Sequence, residues 1–106
     1  MSKNQVIVLI TVPSMEVGKQ IARELVETRL AACVNILPGI TSLYRWQGEV
    51  TEEDELLLVV KTQQALFDRL VELVTQHHPY DLPEVIALPI IAGLESYLTW
   101  IDKETL

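Results

Sequence analysis

Cys33-Val-Asn-Ile-Leu-Pro-Gly-Ile-Thr-Ser-Leu-Tyr-Arg-Trp-Gln47 and Leu56-Leu-Leu-Val-Val-Lys-Thr62 are two runs of apolar and β-branched residues that read as the arms of one long β-hairpin, Ala32 to Thr62. At about 3.3 Å per residue the rising arm spans roughly 50 Å. A compact domain of this length has a radius of gyration of only about 13 Å, so part of the hairpin overhangs the domain. The overhang carries Leu43, Tyr44 and Trp46, and an uncovered apolar edge is an aggregation hazard. The economical cover is a second copy of the chain. Pro38-Gly39 interrupts the rising arm and predicts a bend or bulge there. Glu49, Glu52, Glu53, Asp54 and Glu55 read as a solvated hairpin tip, with a weak hard-cation site as the alternative.

Outward from the hairpin, Val6–Val12 is a continuous apolar run of the kind found in strands buried on both faces. Pro13 stops it, and Ser14 is placed to cap a helix whose apolar stripe is Ile21, Ala22, Leu25 and Val26. Thr62 is placed to cap a second helix with the stripe Leu66, Phe67, Leu70, Val71 and Val74, ending near His77-His78 before Pro79. Val85–Ile90 is a last strand, whose Pro89 belongs at an edge, a bulge or the strand's own end. Gly93-Leu94 opens a short helix with Leu94, Leu98 and Ile101 inward and Tyr97 and Trp100 flanking. The order is βαβ, βαβ and a helix. Its halves match in length, with strand starts 27 residues apart (Val6, Cys33) and 29 apart (Leu56, Val85). The predicted fold is one α+β domain over residues 1–106, a ferredoxin-like split βαβ sandwich with a long hairpin between its second and third strands. Both main helices then lie on one face of an antiparallel four-stranded sheet, and the other face needs a cover, which oligomerisation supplies.

The chain is 49% hydrophobic and carries 8 basic and 15 acidic residues, a formal charge of −7. That balance opposes binding to nucleic acid or to anionic membrane surfaces. No apolar run approaches the roughly 18 residues of a membrane span. The first residues lack a signal peptide's features, and Cys33 is a lone cysteine, so the expected compartment is the cytoplasm. There is no G-x-S-x-G, H-E-x-x-H, C-x-x-C or phosphate-binding glycine pattern. The expectation is a protein without catalytic activity and without an organic cofactor.

His77 and His78 are the candidate metal ligands, since neutral imidazole binds copper, zinc and nickel. Adjacent helical residues point about 100° apart, so the pair needs a further ligand from elsewhere; both also suit a helix C-terminus. Asp81 and Glu84 are near in sequence and offer oxygens, or simply shape the turn around Pro79 and Pro83. Cys33 reads as a small core hydrophobe. Arg29, Lys61, Tyr80 and Glu84 fall at element ends, where a pocket can form between subunits; Arg29 alternatively complements the C-terminus of the first helix. Tyr44, Trp46, Tyr97 and Trp100 are amphipathic aromatics that either stack a ligand or anchor an interface, and Tyr44, Trp46 and Trp100 are the expected interface anchors.

Arg29–Ile36, Pro38-Gly39, Ser42–Gly48, Lys61-Thr62, His78-Pro-Tyr80, Pro83-Glu84, Leu88-Pro89 and Tyr97–Trp100 together resemble the signature of the CutA divalent-cation tolerance proteins, over nearly the whole chain. The resemblance implies a ferredoxin-like fold, a homotrimer like that of the PII signalling proteins, and a cytoplasmic role in tolerance of copper and other divalent ions. It also implies a copper site built from His77, His78 and a first-strand cysteine. Here that position is Ile10 or a neighbour in the same strand, none of them a cysteine, and loss of the soft sulfur leaves a weak imidazole site at best. The alternative function is a PII-like signalling or scaffold trimer that meets a protein partner or a small ligand at the intersubunit cleft.

Overall fold

The structure is a computed structural model describing residues 4–106, in which the hairpin dominates the shape. The molecule measures 47 × 25 × 23 Å, with a radius of gyration of 14.3 Å. The elements follow as β1 (Gln5–Val12), α1 (Met15–Glu27), β2 (Cys33–Trp46), β3 (Glu49–Gln63), a 3-10 turn (Gln64–Leu66), α2 (Phe67–His77), β4 (Val85–Pro89) and α3 (Glu95–Glu104). The sheet order is β2-β3-β1-β4 and every neighbouring pair is antiparallel. β4 lies at an edge with Pro89 as its last residue, where its missing N–H costs no ladder bond.

Alternation along the strands sets up two faces. Val6, Val8, Ile10 and Val12 of β1 and Leu58 and Val60 of β3 meet Ile21 and Leu25 of α1 and Leu70 and Val74 of α2 in the core. Ser14 caps α1, its hydroxyl accepting from the Val17 N–H at 3.2 Å. The opposite face presents Ile7, Leu9, Leu57, Val59, Ile86 and Leu88. Ile86 and Leu88 are each 49% exposed. One end of this second face is covered by the chain itself, contrary to the expectation of a face with no helix. Gln5, on that face, donates to Asp102 of α3 at 3.0 Å, and Gln63 donates to Thr105. Ile101 is the buried residue of α3, Leu98 is half-buried, and Leu94 lies exposed before the helix begins.

Two features of the hairpin depart from the sequence reading. The acidic run is not its tip: Glu49–Glu55 pairs with Ile40–Trp46, and the chain reverses at Gln47-Gly48. Both turn residues have positive φ, 51° and 83°, the pattern of the tight turn that matches strand twist. Thr62 caps no helix; it is fully buried in β3, where its hydroxyl donates to the Leu30 carbonyl at 2.6 Å. The predicted break at Pro38-Gly39 is a bulge, with the register shifting between Leu37 and Ile40 and Gly39 at φ 83°.

Arg29 supports a helix other than the one expected. It sits in the left-handed region at φ 63°, and its guanidinium donates to the Lys103 carbonyl at 2.7 Å and the Glu104 carbonyl at 3.3 Å. Its own carbonyl accepts from the Leu106 N–H. The charge therefore complements the C-terminus of α3, far along the chain, rather than that of α1. Arg29→Ala keeps the strained left-handed backbone that Arg29 already bears and loses the clamp, and should cost about 0.5–1 kcal/mol. Arg29→Gly also loses the clamp but relieves that strain, and should be about 1–2 kcal/mol more stable than Arg29→Ala. Urea denaturation of the two variants measures the difference, and equal losses would refute this division of roles.

Candidate functional site

The bulge rotates the outer hairpin so that Ser42, Tyr44 and Trp46 share a face with Thr51, Glu53 and Glu55. The loop after α2 closes on this face and leaves a groove of about 810 Å³, whose far wall is Pro79, Tyr80, Asp81, Leu82 and Glu84. Two tyrosine–carboxylate contacts organise it. The Tyr80 hydroxyl donates to Glu55 at 2.8 Å, tying the loop to β3, and the Tyr44 hydroxyl donates to Glu53 across the hairpin. Burial, then the hydrogen bond to Glu55, then the charges of Glu55 and Glu53, hold the Tyr80 phenol well above the usual tyrosine range. Trp46 lines the groove and is 40% exposed.

The two histidines have separate fates. His78 follows the end of α2 in extended conformation and is 8% exposed. Its Nε2 donates to the Thr11 carbonyl at 2.7 Å, and its Nδ1 accepts from the Tyr80 N–H at 3.2 Å. With both ring nitrogens engaged, His78 joins β1 to the loop and positions Tyr80, whose ring is 4.7 Å from the imidazole. His77 is half-buried in a smaller cleft with Glu24, Arg69 and Glu72. Among the described residues no group of three or more His, Cys, Asp or Glu is placed to hold a metal ion. Ile10, the first-strand position expected for the family's cysteine, is fully buried in the core.

The four residues expected to share a pocket do not converge within one chain. Arg29 holds the end of α3, Lys61 bonds to Asn35 on the sheet, and Tyr80 and Glu84 line the groove. Lys61 lies six positions along β3 from Glu55, roughly 20 Å in an extended strand. Trp100 stacks against Tyr97 with centroids 5.4 Å apart. Cys33 is half-buried rather than part of the main core. Burial, with Cys33 adjacent, raises the Tyr97 phenol.

Residues 6–104 match the model of the CutA1 divalent ion tolerance protein family. The chain belongs to that family. A divalent-cation tolerance protein CutA of Thermus thermophilus is 60% identical over 99 residues, spanning 93% of this chain and 96% of that protein. A chloroplastic CutA of Arabidopsis thaliana is 50% identical, over 94% of this chain and 55% of that protein. Among solved structures, CutA1 of Oryza sativa superposes with a TM-score of 0.96 at 47% identity, covering 99% of this chain and 96% of that one. These family names denote tolerance and no catalytic activity. No helix among the described residues is long and apolar enough to cross a membrane.

Within this CutA-family chain, the residues that sequence reasoning missed are Glu53 and Glu55, set aside as solvent-facing acids. Their strand alternation with Tyr44 and Trp46 was the available signal. The raised Tyr80 phenol gives a test of the groove's construction. As pH rises above the ordinary tyrosine value, unfolded chains release a proton that the native state keeps, so native stability falls. The thermal midpoint should drop more steeply between about pH 9 and pH 11 in the native protein than in Tyr80→Phe. Equal slopes would show that Tyr80 is not held by Glu55.

Proposed function

We propose that the chain is a cytoplasmic, non-enzymatic homotrimer, built on a ferredoxin-like sandwich, that serves divalent-cation tolerance by binding copper(II) or another divalent cation weakly at His77. The observation that carries the cation assignment is the inequality of the histidines. Both nitrogens of His78 are spent on the Thr11 carbonyl and the Tyr80 N–H, while the His77 ring makes no hydrogen bond among the described residues and lies in a cleft with Glu24 and Glu72. A single imidazole with dispersed carboxylates suits borderline divalent ions at low affinity, and the absence of a thiolate argues against copper(I) selectivity.

The assembly reading is supported by the half-covered sheet face and by the hairpin, where Leu43 is 65% exposed. Apolar surface of this extent at an open edge marks an association site. The family resemblance supports three copies. Tyr44, Trp46 and Trp100 are then interface anchors, and Arg29 and Lys61 meet Tyr80 and Glu84 only across a subunit boundary. Titrating copper(II) by calorimetry into native protein, His77→Ala and His78→Ala separates the two histidines. His77→Ala should weaken binding about tenfold or more, the loss of one good ligand. His78→Ala should keep the native affinity but lose about 1–3 kcal/mol of stability. Unchanged affinity in His77→Ala would refute the assignment.

A further inference from the structure

The cleft that holds His77 lies between α1 and α2, on the helix side of the sheet. The hairpin, the second sheet face and Trp100, the surfaces assigned to neighbouring copies, contribute nothing to its lining. Its volume is about 260 Å³, and its polar lining is Glu24, Arg69, Glu72, Gln76 and His77. Buried Leu30 and half-buried Leu73 complete it.

One imidazole is too little for a bare ion. Copper(II) prefers a square-planar or tetragonal set of nitrogen and oxygen donors. Among the described residues no group of three or more His, Cys, Asp or Glu is placed to supply such a set. The remaining donors must then arrive with the metal, on a small chelator already bound to it.

Arg69 indicates what kind of chelator. It lines the same cleft and pairs with no carboxylate among the described residues, where the ion pair is Arg23–Glu27 on α1. Glu72, three residues on and within reach on a helix, is not engaged by it. A permanent positive charge in the wall opposes a bare cation, whereas a guanidinium recognises a carboxylate through two parallel N–H donors. Arg69 and His77 are eight residues apart on α2, about 12 Å of helix rise. That gap exceeds the donor shell of one ion, about 2–2.6 Å in radius, and admits a small organic chelate. Glu24 and Glu72 oppose chelates of net negative charge, which leaves neutral or cationic ones with one or two carboxylates.

We propose, on the basis of the cation's assignment to His77, that this cleft takes its divalent cation as a complex with a small aminocarboxylate chelator. The His77 imidazole fills the metal's open position, and the Arg69 guanidinium pairs with a carboxylate of the chelator. Binding is a ligand substitution with no change of oxidation state, in which the neutral imidazole displaces one water.

The test is calorimetric titration at pH 7 of two tridentate copper(II) chelates into the full chain. The iminodiacetate complex is neutral and carries two carboxylates; the diethylenetriamine complex is cationic and carries none. Each leaves one in-plane position for an imidazole, so both should weaken about tenfold or more in His77→Ala. Arg69→Gln should weaken the iminodiacetate complex about threefold, the loss of an exposed charge-assisted pair. It should bind the diethylenetriamine complex as tightly as the native protein or more tightly, because a positive charge has left the cleft. Arg69→Lys, which keeps the charge without the fork, should fall between native protein and Arg69→Gln for iminodiacetate. Arg69 is exposed, so neither change disturbs the core. Equal effects of Arg69→Gln on the two chelates, or no effect on the iminodiacetate complex, would overturn the proposal and leave the His77 assignment standing. Undiminished binding of both chelates by His77→Ala would overturn the assignment and the proposal together.

Discussion

The pairing of Cys33–Trp46 with Glu49–Gln63 is the constraint on which the rest of this molecule depends. Two strands of 14 and 15 residues are longer than the helices that cover them, and β1 and β4 pair only with the inner part of β3 or with each other. The core end of the hairpin is therefore an ordinary two-layer sandwich, and the outer end is a ribbon with no layer of its own. A two-stranded ribbon is marginal in water by itself. Its order comes from the tight turn at Gln47-Gly48, from cross-strand contacts such as Tyr44–Glu53, and from the Tyr80 tether at Glu55.

The same constraint builds the candidate site. One extra residue in β2, absorbed at Pro38-Gly39, re-aims the outer hairpin, so that Tyr44, Trp46, Glu53 and Glu55 turn together toward the loop after α2. His78 fixes the other wall from behind by joining the Thr11 carbonyl to the Tyr80 backbone. A residue that looks like a metal ligand in sequence is thus part of the frame. Its neighbour, one position earlier and on the other side of the helix, is left to the cleft beside Glu24 and Glu72.

What was legible in the sequence had local causes. Alternation marked the long hairpin, Ser14 followed by a helical stripe marked α1, and Pro38-Gly39 marked the bulge. What was hidden depends on partners distant along the chain. Thr62 resembles a helix cap until Leu30 supplies a buried carbonyl. Arg29 resembles a cap for its own helix until α3 returns to present its last carbonyls. Glu53 and Glu55 resemble a solvated turn because acids are poor strand formers; their pairing with Ser42 and Ile40 and the contact with Tyr80 override that preference.

The hairpin and the half-open sheet face leave apolar surface that, in the proposed assembly, further copies of the same chain cover. Sedimentation equilibrium of the full protein at low micromolar concentration measures this directly. The proposed trimer sediments as a single species of three times the 12.0 kDa chain mass, whereas a particle of one chain mass at that concentration rules the assembly out.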